Sequence, residues 1–232
     1  HGTRLAFLRD AREQRIVDTH TKQEQLLAQG TFDRVPFQAQ RPLAWSPDNR
    51  WIAYLAGGTK LFVNAYIVAT EGGEGKPASF LGNTRAGSLS WSPDGTYLLF
   101  DTGMRTEPGS LMRVDLLPRI PKFREDQFRD LFREDIPGRT APPAPSPRPA
   151  AGGDPGTRPA KAGIEPVRVV FEGIRERLSP LPVGVDVTWQ AISPDGKQSL
   201  ILATAEGQQN LYTFSLDELA AVRGVGPKKL EQ

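Results

Sequence analysis

Two histidines, three aspartates in a recurring setting and one glycine-dense turn are the places where this sequence could hold chemistry. An imidazole can ligate a metal or carry a proton. His1, however, is the first residue, and His20 sits in the polar stretch Thr19-His20-Thr21-Lys22. Neither has a second ligand at metal-binding spacing, so no zinc site is expected. The 232 residues include no cysteine, which excludes thiolate metal sites, cysteine nucleophiles and a disulfide framework together. No Gly-x-Ser-x-Gly elbow is present to hold a serine as a hydrolase nucleophile. Gly72-Gly73-Glu74-Gly75 echoes a phosphate loop but lacks the Lys-Ser/Thr pair that would grip the phosphates, so it reads as a hairpin turn. Asp48, Asp94 and Asp195 each follow a Ser-Pro pair. A carboxylate repeated in the same local setting argues for turn structure rather than for acid–base work. In an Asp-box, Ser-x-Asp-x-Gly, one residue separates Asp from Gly. Here Gly or Asn follows Asp directly, so no calcium role follows. The expectation is no catalytic residue, no cofactor-binding residue and no metal ligand in this chain.

The elements around those aspartates carry the stronger signal. Trp45-Ser46-Pro47-Asp48-Asn49-Arg50-Trp51-Ile52-Ala53-Tyr54 matches Trp91-Ser92-Pro93-Asp94-Gly95-Thr96-Tyr97-Leu98-Leu99-Phe100 position for position. A third copy runs from Ile192 to Ile201, and Gly2-Thr3-Arg4-Leu5-Ala6-Phe7 supplies the second half of a fourth. The register residues Gly2, Asn49, Gly95 and Gly196 stand 47, 46 and then 101 residues apart. The last interval is two periods with something added, or one period with an insertion of about 55 residues. Each unit reads as an apolar run ending at Trp, a turn, and an apolar strand. In the turn, Pro presets φ, Asp can bond its own downstream backbone and Gly accepts positive φ. The apolar strand is Trp51–Leu55 or Tyr97–Phe100. A third strand follows at Ala65–Val68, Ser110–Val114, Arg15–Asp18 or Gln209–Phe214. A short outer one is expected at Ala78–Leu81, at Glu24–Leu27 and, delayed, at Val167–Phe171.

Four short strands per unit of about 46 residues, each unit too thin to bury both its faces alone, predict stacked blades. The fold class is all-β: a partial β-propeller of about four four-stranded blades, spanning residues 1–37, 38–84, 85–178 and 179–232. The register places the first residues just after the turn of a blade, which predicts that the blades belong to a larger ring. The last blade is expected to start at Gly184–Trp189. The tail from Leu216 to Gln232 is expected to form a short helical turn at Leu219–Val222 ahead of an outer strand.

The insertion, 118–166, interrupts the third blade. Nine of the 21 prolines fall between 137 and 166, with glycines at 152, 153, 156 and 163, so Ala141–Ala162 is expected to be a flexible or polyproline-type loop. Before it, Phe123, Phe128, Leu131 and Phe132 are spaced to suit a short amphipathic helix, which would cap the blade edge or, as the alternative, dock a partner domain.

The bulk properties exclude several classes. With 29 basic and 27 acidic residues the net charge is +2, and Arg124–Arg133 is interleaved with carboxylates, so nucleic acid is not an expected partner. No apolar run approaches the roughly 18 residues that a membrane span needs. His1-Gly2-Thr3-Arg4 has no basic-then-apolar leader pattern.

The Trp-Ser-Pro-Asp-Gly unit with its following strand resembles the propeller repeats of TolB and of tricorn-type proteases. Arg113-Val114-Asp115-Leu116-Leu117-Pro118-Arg119 through Phe123-Arg124-Glu125-Asp126-Gln127-Phe128 looks like the insertion in bacterial tricorn-like serine peptidases. In those proteins the propellers precede a PDZ domain and a catalytic domain. The resemblance implies a non-catalytic propeller of such a peptidase, serving substrate access or protein and peptide interaction, in a periplasmic or otherwise extracytoplasmic setting. Its implied partners are a peptide or protein, together with the remaining blades and catalytic domain of one parent chain. The alternative is a TolB-like periplasmic interaction propeller with no enzyme attached, and a cytoplasmic location is the alternative compartment. A further expectation is self-association through unstacked blade faces.

Overall fold

The computed structural model describes residues 2–32, 42–58, 60, 62–104, 106–118, 165–221 and 228–229. The helix expected near Phe123 and the loop Ala141–Ala162 lie outside them. One compact unit is built from His1–Pro118 and Ile164–Gln232, and a second, Arg119–Gly163, is outside the described residues.

The ten-residue repeats form hairpins whose turns are alike down to individual bonds. In each, a serine hydroxyl accepts the backbone N–H five residues on: Trp51 to Ser46 at 2.9 Å, Tyr97 to Ser92 at 3.0 Å, Gln198 to Ser193 at 2.9 Å. The aspartate then accepts the N–H two residues on, at 3.1 Å in all three. The residue after it turns left-handed, with φ of 60° at Asn49, 69° at Gly95 and 73° at Gly196. Gly2 has φ 70°, as the truncated copy requires.

These hairpins build four antiparallel sheets. The first holds β1 (Arg4–Arg9), β2 (Glu13–Asp18) and β3 (Glu24–Gln29). The second holds β4 (Leu43–Trp45), β5 (Trp51–Gly57), β6 (Val63–Ala69) and β7 (Lys76–Pro77). The third holds β8 (Leu89–Trp91), β9 (Tyr97–Thr102), β10 (Ser110–Asp115) and β11 (Leu178–Leu181). The fourth holds β12 (Asp186–Ile192), β13 (Gln198–Ala205), β14 (Gln208–Ser215) and β15 (Lys228–Lys229), with α1 (Leu216–Ala221) before its last strand. By motif register β1 corresponds to β5, β9 and β13, so the first sheet has no counterpart of β4 among the described residues.

Two outer strands differ from the sequence reading. The second sheet's lies at Lys76–Pro77 rather than Ala78–Leu81. The third sheet's is Leu178–Leu181, which crosses position 178, where the third blade was expected to end. Val167–Phe171 joins no sheet, and its backbone bonds go elsewhere, as described below.

Stacking explains the apolar runs. Ile52, Tyr54 and Ala56 face the first sheet in one core, while Ala53 and Leu55 join Leu98 and Phe100 in the next. Tyr97 and Leu99 turn the other way, into a third core with Ile201, Ala203, Tyr212 and Phe214 of the fourth sheet. The middle sheets are thus buried on both faces, which their near-continuous hydrophobicity demands. Trp45 and Trp91 hold matching places at the ends of their innermost strands. Trp45 packs against the first sheet's core, and Trp91 is buried against the second, donating its indole N–H to the Ala44 carbonyl at 2.9 Å.

Candidate interaction surface

Among the described residues, His20, the Gly72–Gly73 turn and Asp48 stand apart from one another, while Asp94 and Asp195 line one groove. His20 is exposed in the turn after β2, its backbone N–H bonded to Asp18 at 2.8 Å. Gly72 and Gly73, with φ of 102° and 122°, form the turn between β6 and β7. Among the described residues no group of three or more His, Asp or Glu side chains is placed to hold a metal ion. Nor is any helix among them long and apolar enough to cross a membrane.

The three motif aspartates are spent on their turns, and all three titrate below the usual carboxylate range. Burial pushes Asp48 upward, but the Ser46 hydroxyl and the N–H groups of Val167 and Arg50 outweigh it. Asp94 follows the same balance, with Ser92 and Thr96 as donors. At exposed Asp195 the Ser193 hydroxyl leads, followed by the Lys197 N–H. Asp101 runs the opposite way: burial raises it, although Gly87, Ser88 and the Ser88 hydroxyl all donate to it. The same Ser88 oxygen accepts the Gln190 N–H at 3.0 Å, and Gln190 donates from its side chain to the Leu99 carbonyl at 3.0 Å. A buried polar chain thus ties β12 of the fourth sheet to β9 of the third and to the residue just before β8.

At the turn end of the sheets, each pair of neighbours leaves a groove. Between the second and third sheets it is filled by the chain itself. The Val167 N–H donates to the free oxygen of Asp48 at 2.7 Å, and the Val167 carbonyl accepts the Trp51 indole N–H at 3.2 Å. Val167 lies over Gly95 so closely that an added β-carbon there would be 2.4 Å from its methyl. Val170 donates to the Leu116 carbonyl at 3.0 Å, and Phe171 meets Trp51 edge-on at 6.3 Å. Between the third and fourth sheets no described residue fills the corresponding groove, a cavity of about 580 Å³ lined by Asp94, Tyr97, Arg113, Gly196, Leu216 and Asp217 among others.

The outward face of the fourth sheet carries one apolar row. Trp189 pairs with Leu202 and Leu202 with Leu211, which sets one hydrophobic row across three strands. Trp189 and Leu211 are each 39% exposed. The first sheet's outward face mixes Leu5, Phe7 and Leu26 with an ion-pair array of Arg9 and Arg15 against Glu13 and Glu24. The sequence reading anticipated exposed blade faces, but not the filled groove, whose Asp48 and Trp51 lie over a hundred residues from Val167.

No protein-family model matches the chain, and no curated protein sequence matches it. Solved structures do. A TolB-type protein from Agrobacterium tumefaciens superposes with a TM-score of 0.52 at 14% identity, over 93% of this chain and 55% of that one. TolB from Acinetobacter baumannii gives 0.50 at 17% identity, over 92% and 39%. An oligogalacturonate lyase in complex with manganese gives 0.50 at 12% identity, over 94% and 48%. The chain therefore spans about half the length of these structures or less. With the stacked four-stranded sheets, this likeness makes the fold a partial β-propeller. Its architecture is the one TolB shares.

Proposed function

We propose that this chain is the non-catalytic propeller of a tricorn-like serine peptidase, acting in substrate access or in peptide and protein interaction outside the cytoplasm. The observation that carries the reading is the unstacked apolar row Trp189–Leu202–Leu211. It lies on the side of the fourth sheet where each interior sheet receives its neighbour, so it suits a further blade. The motif and insertion resemblance supplies the peptidase. A TolB-like interaction propeller without an enzyme is the second reading, supported by the shared TolB architecture.

The coding sequence around this chain separates the two. Continuation through further blades into a serine-nucleophile domain is the expected result. A stop soon after the ring closes would leave the TolB-like reading. The same row predicts that the isolated chain self-associates. Sedimentation velocity should show a concentration-dependent coefficient that Trp189→Lys abolishes, and a monomer throughout would contradict the exposed-face argument.

A further inference from the structure

The filled and open grooves are equivalent positions of one repeat, and that equivalence says what the open one can hold. The motif register matches Asp48 to Asp94, Trp51 to Tyr97 and Gly95 to Gly196. Leu116 matches Leu216, since their backbone N–H groups bond to Thr96 and Lys197, the residues just after the two glycines. All four residues that receive the segment 165–171 in the filled groove thus have counterparts lining the open one.

The counterparts retain most of the chemistry. Asp94 offers a carboxylate oxygen at the place where Asp48 accepts a peptide N–H, shared here with the Thr96 hydroxyl at 2.9 Å. Tyr97 lines the groove with a phenol where Trp51 has an indole N–H. Gly196 again leaves bare backbone, although Pro93 comes within 3.2 Å of where a β-carbon would stand, so the seat is narrower than that over Gly95. The charge differs. Among the described residues that line the open groove, Asp94, Asp195 and Asp217 stand against Arg113, which is engaged by Asp115 at 2.9 Å.

We infer that the open groove between the third and fourth sheets binds a peptide segment that carries an Arg or Lys, its backbone bridging Asp94 and Tyr97 as residues 165–171 bridge Asp48 and Trp51. A small residue, valine or alanine, sits over Gly196, and a flanking Arg or Lys meets Asp195 and Asp217. This rests on the reading of the chain as a peptide-interacting propeller and names the site and the class of peptide.

The probe is the capped peptide Glu-Pro-Val-Arg-Val-Val-Phe, the chain's own 165–171, titrated into the 232-residue protein with amide shifts followed by NMR. Saturable shifts at Thr96, Gly196 and Lys197 are expected. Asp94→Ala should weaken binding about tenfold, the worth of a charge-assisted hydrogen bond. Asp217→Lys changes an exposed residue without threatening the fold and should weaken it about threefold. A peptide with Glu in place of Arg should bind more weakly than either. Shifts confined to Trp51 and Gly95 would mean exchange with the resident segment and would overturn the inference. So would no saturation at millimolar peptide, or wild-type affinity in both variants. A coding sequence that runs into a peptidase would stand untouched by such a failure.

Discussion

Gly95→Ala isolates the contact that holds the returning segment in place. Two costs add at this position. An alanine forced to φ near 69° costs about 1–2 kcal/mol, because its β-carbon crowds the backbone. The same β-carbon would lie 2.4 Å from a Val167 methyl, and relieving that by shifting Val167 strains the bonds to Asp48 and Trp51, for about 1–3 kcal/mol more. Gly207 separates the terms. It has φ 78° in the two-residue turn between β13 and β14, with nothing within 4 Å of an added β-carbon, so Gly207→Ala carries the conformational cost alone. Urea melts followed by tryptophan fluorescence should show Gly95→Ala losing at least about 1 kcal/mol more than Gly207→Ala. In the thermal midpoint the total for Gly95→Ala is about 4–15 °C for a domain of this size. Val167→Ala on the Gly95→Ala background leaves only a 3.4 Å contact with the remaining β-carbon and should recover the excess, a favourable coupling of about 1–2 kcal/mol. Equal losses in the two glycine variants, or strict additivity with Val167→Ala, would refute the account of this groove.

Two further outcomes follow from the geometry. Trp91→Phe keeps most of the buried ring but leaves the Ala44 carbonyl without its indole donor, so stability should fall by about 1–3 kcal/mol in a urea melt. The motif aspartates set an acid limit. Their folded pKa values lie below the unfolded ones, so their stabilisation is complete above the unfolded carboxylate range and is lost as pH falls through the folded values. Asp101 opposes this, since its raised value makes its ionised form a cost that protonation relieves. Glu13 and Asp18 are lowered as well, so five groups stand against one and the urea midpoint should fall between pH 5 and pH 3. In Asp48→Asn that fall should be shallower.

What was legible in the sequence is what the repeat writes locally. Ser-Pro-Asp-Gly specifies the hairpin turn down to the left-handed residue, and the apolar runs of β5 and β9 announce strands covered on both faces. The outer strands were misplaced for a physical reason. Lys76–Pro77 and Leu178–Leu181 both contain proline, which an edge strand tolerates but which reads as a break. Val167–Phe171, rich in β-branched residues, reads as the better strand. Its N–H and carbonyl groups instead go to Asp48, Trp51 and Leu116, partners that no local pattern reveals. The polar chain through Asp101, Ser88 and Gln190 was hidden likewise, since Asp101 lies just beyond the ten repeated positions and has leucine at its counterparts, Leu55 and Leu202.

The grip on Val167 bears on how this scaffold could be re-engineered. The chain leaves the third sheet beyond Leu116, which Thr96 and Val170 hold through its backbone, and it re-enters at a residue clamped by Asp48 and Trp51. Foreign sequence exchanged for 119–163 would start and finish on two points moored by residues outside the exchange. A reporter or a binding loop could be grafted there while the hairpins on either side keep their pairing.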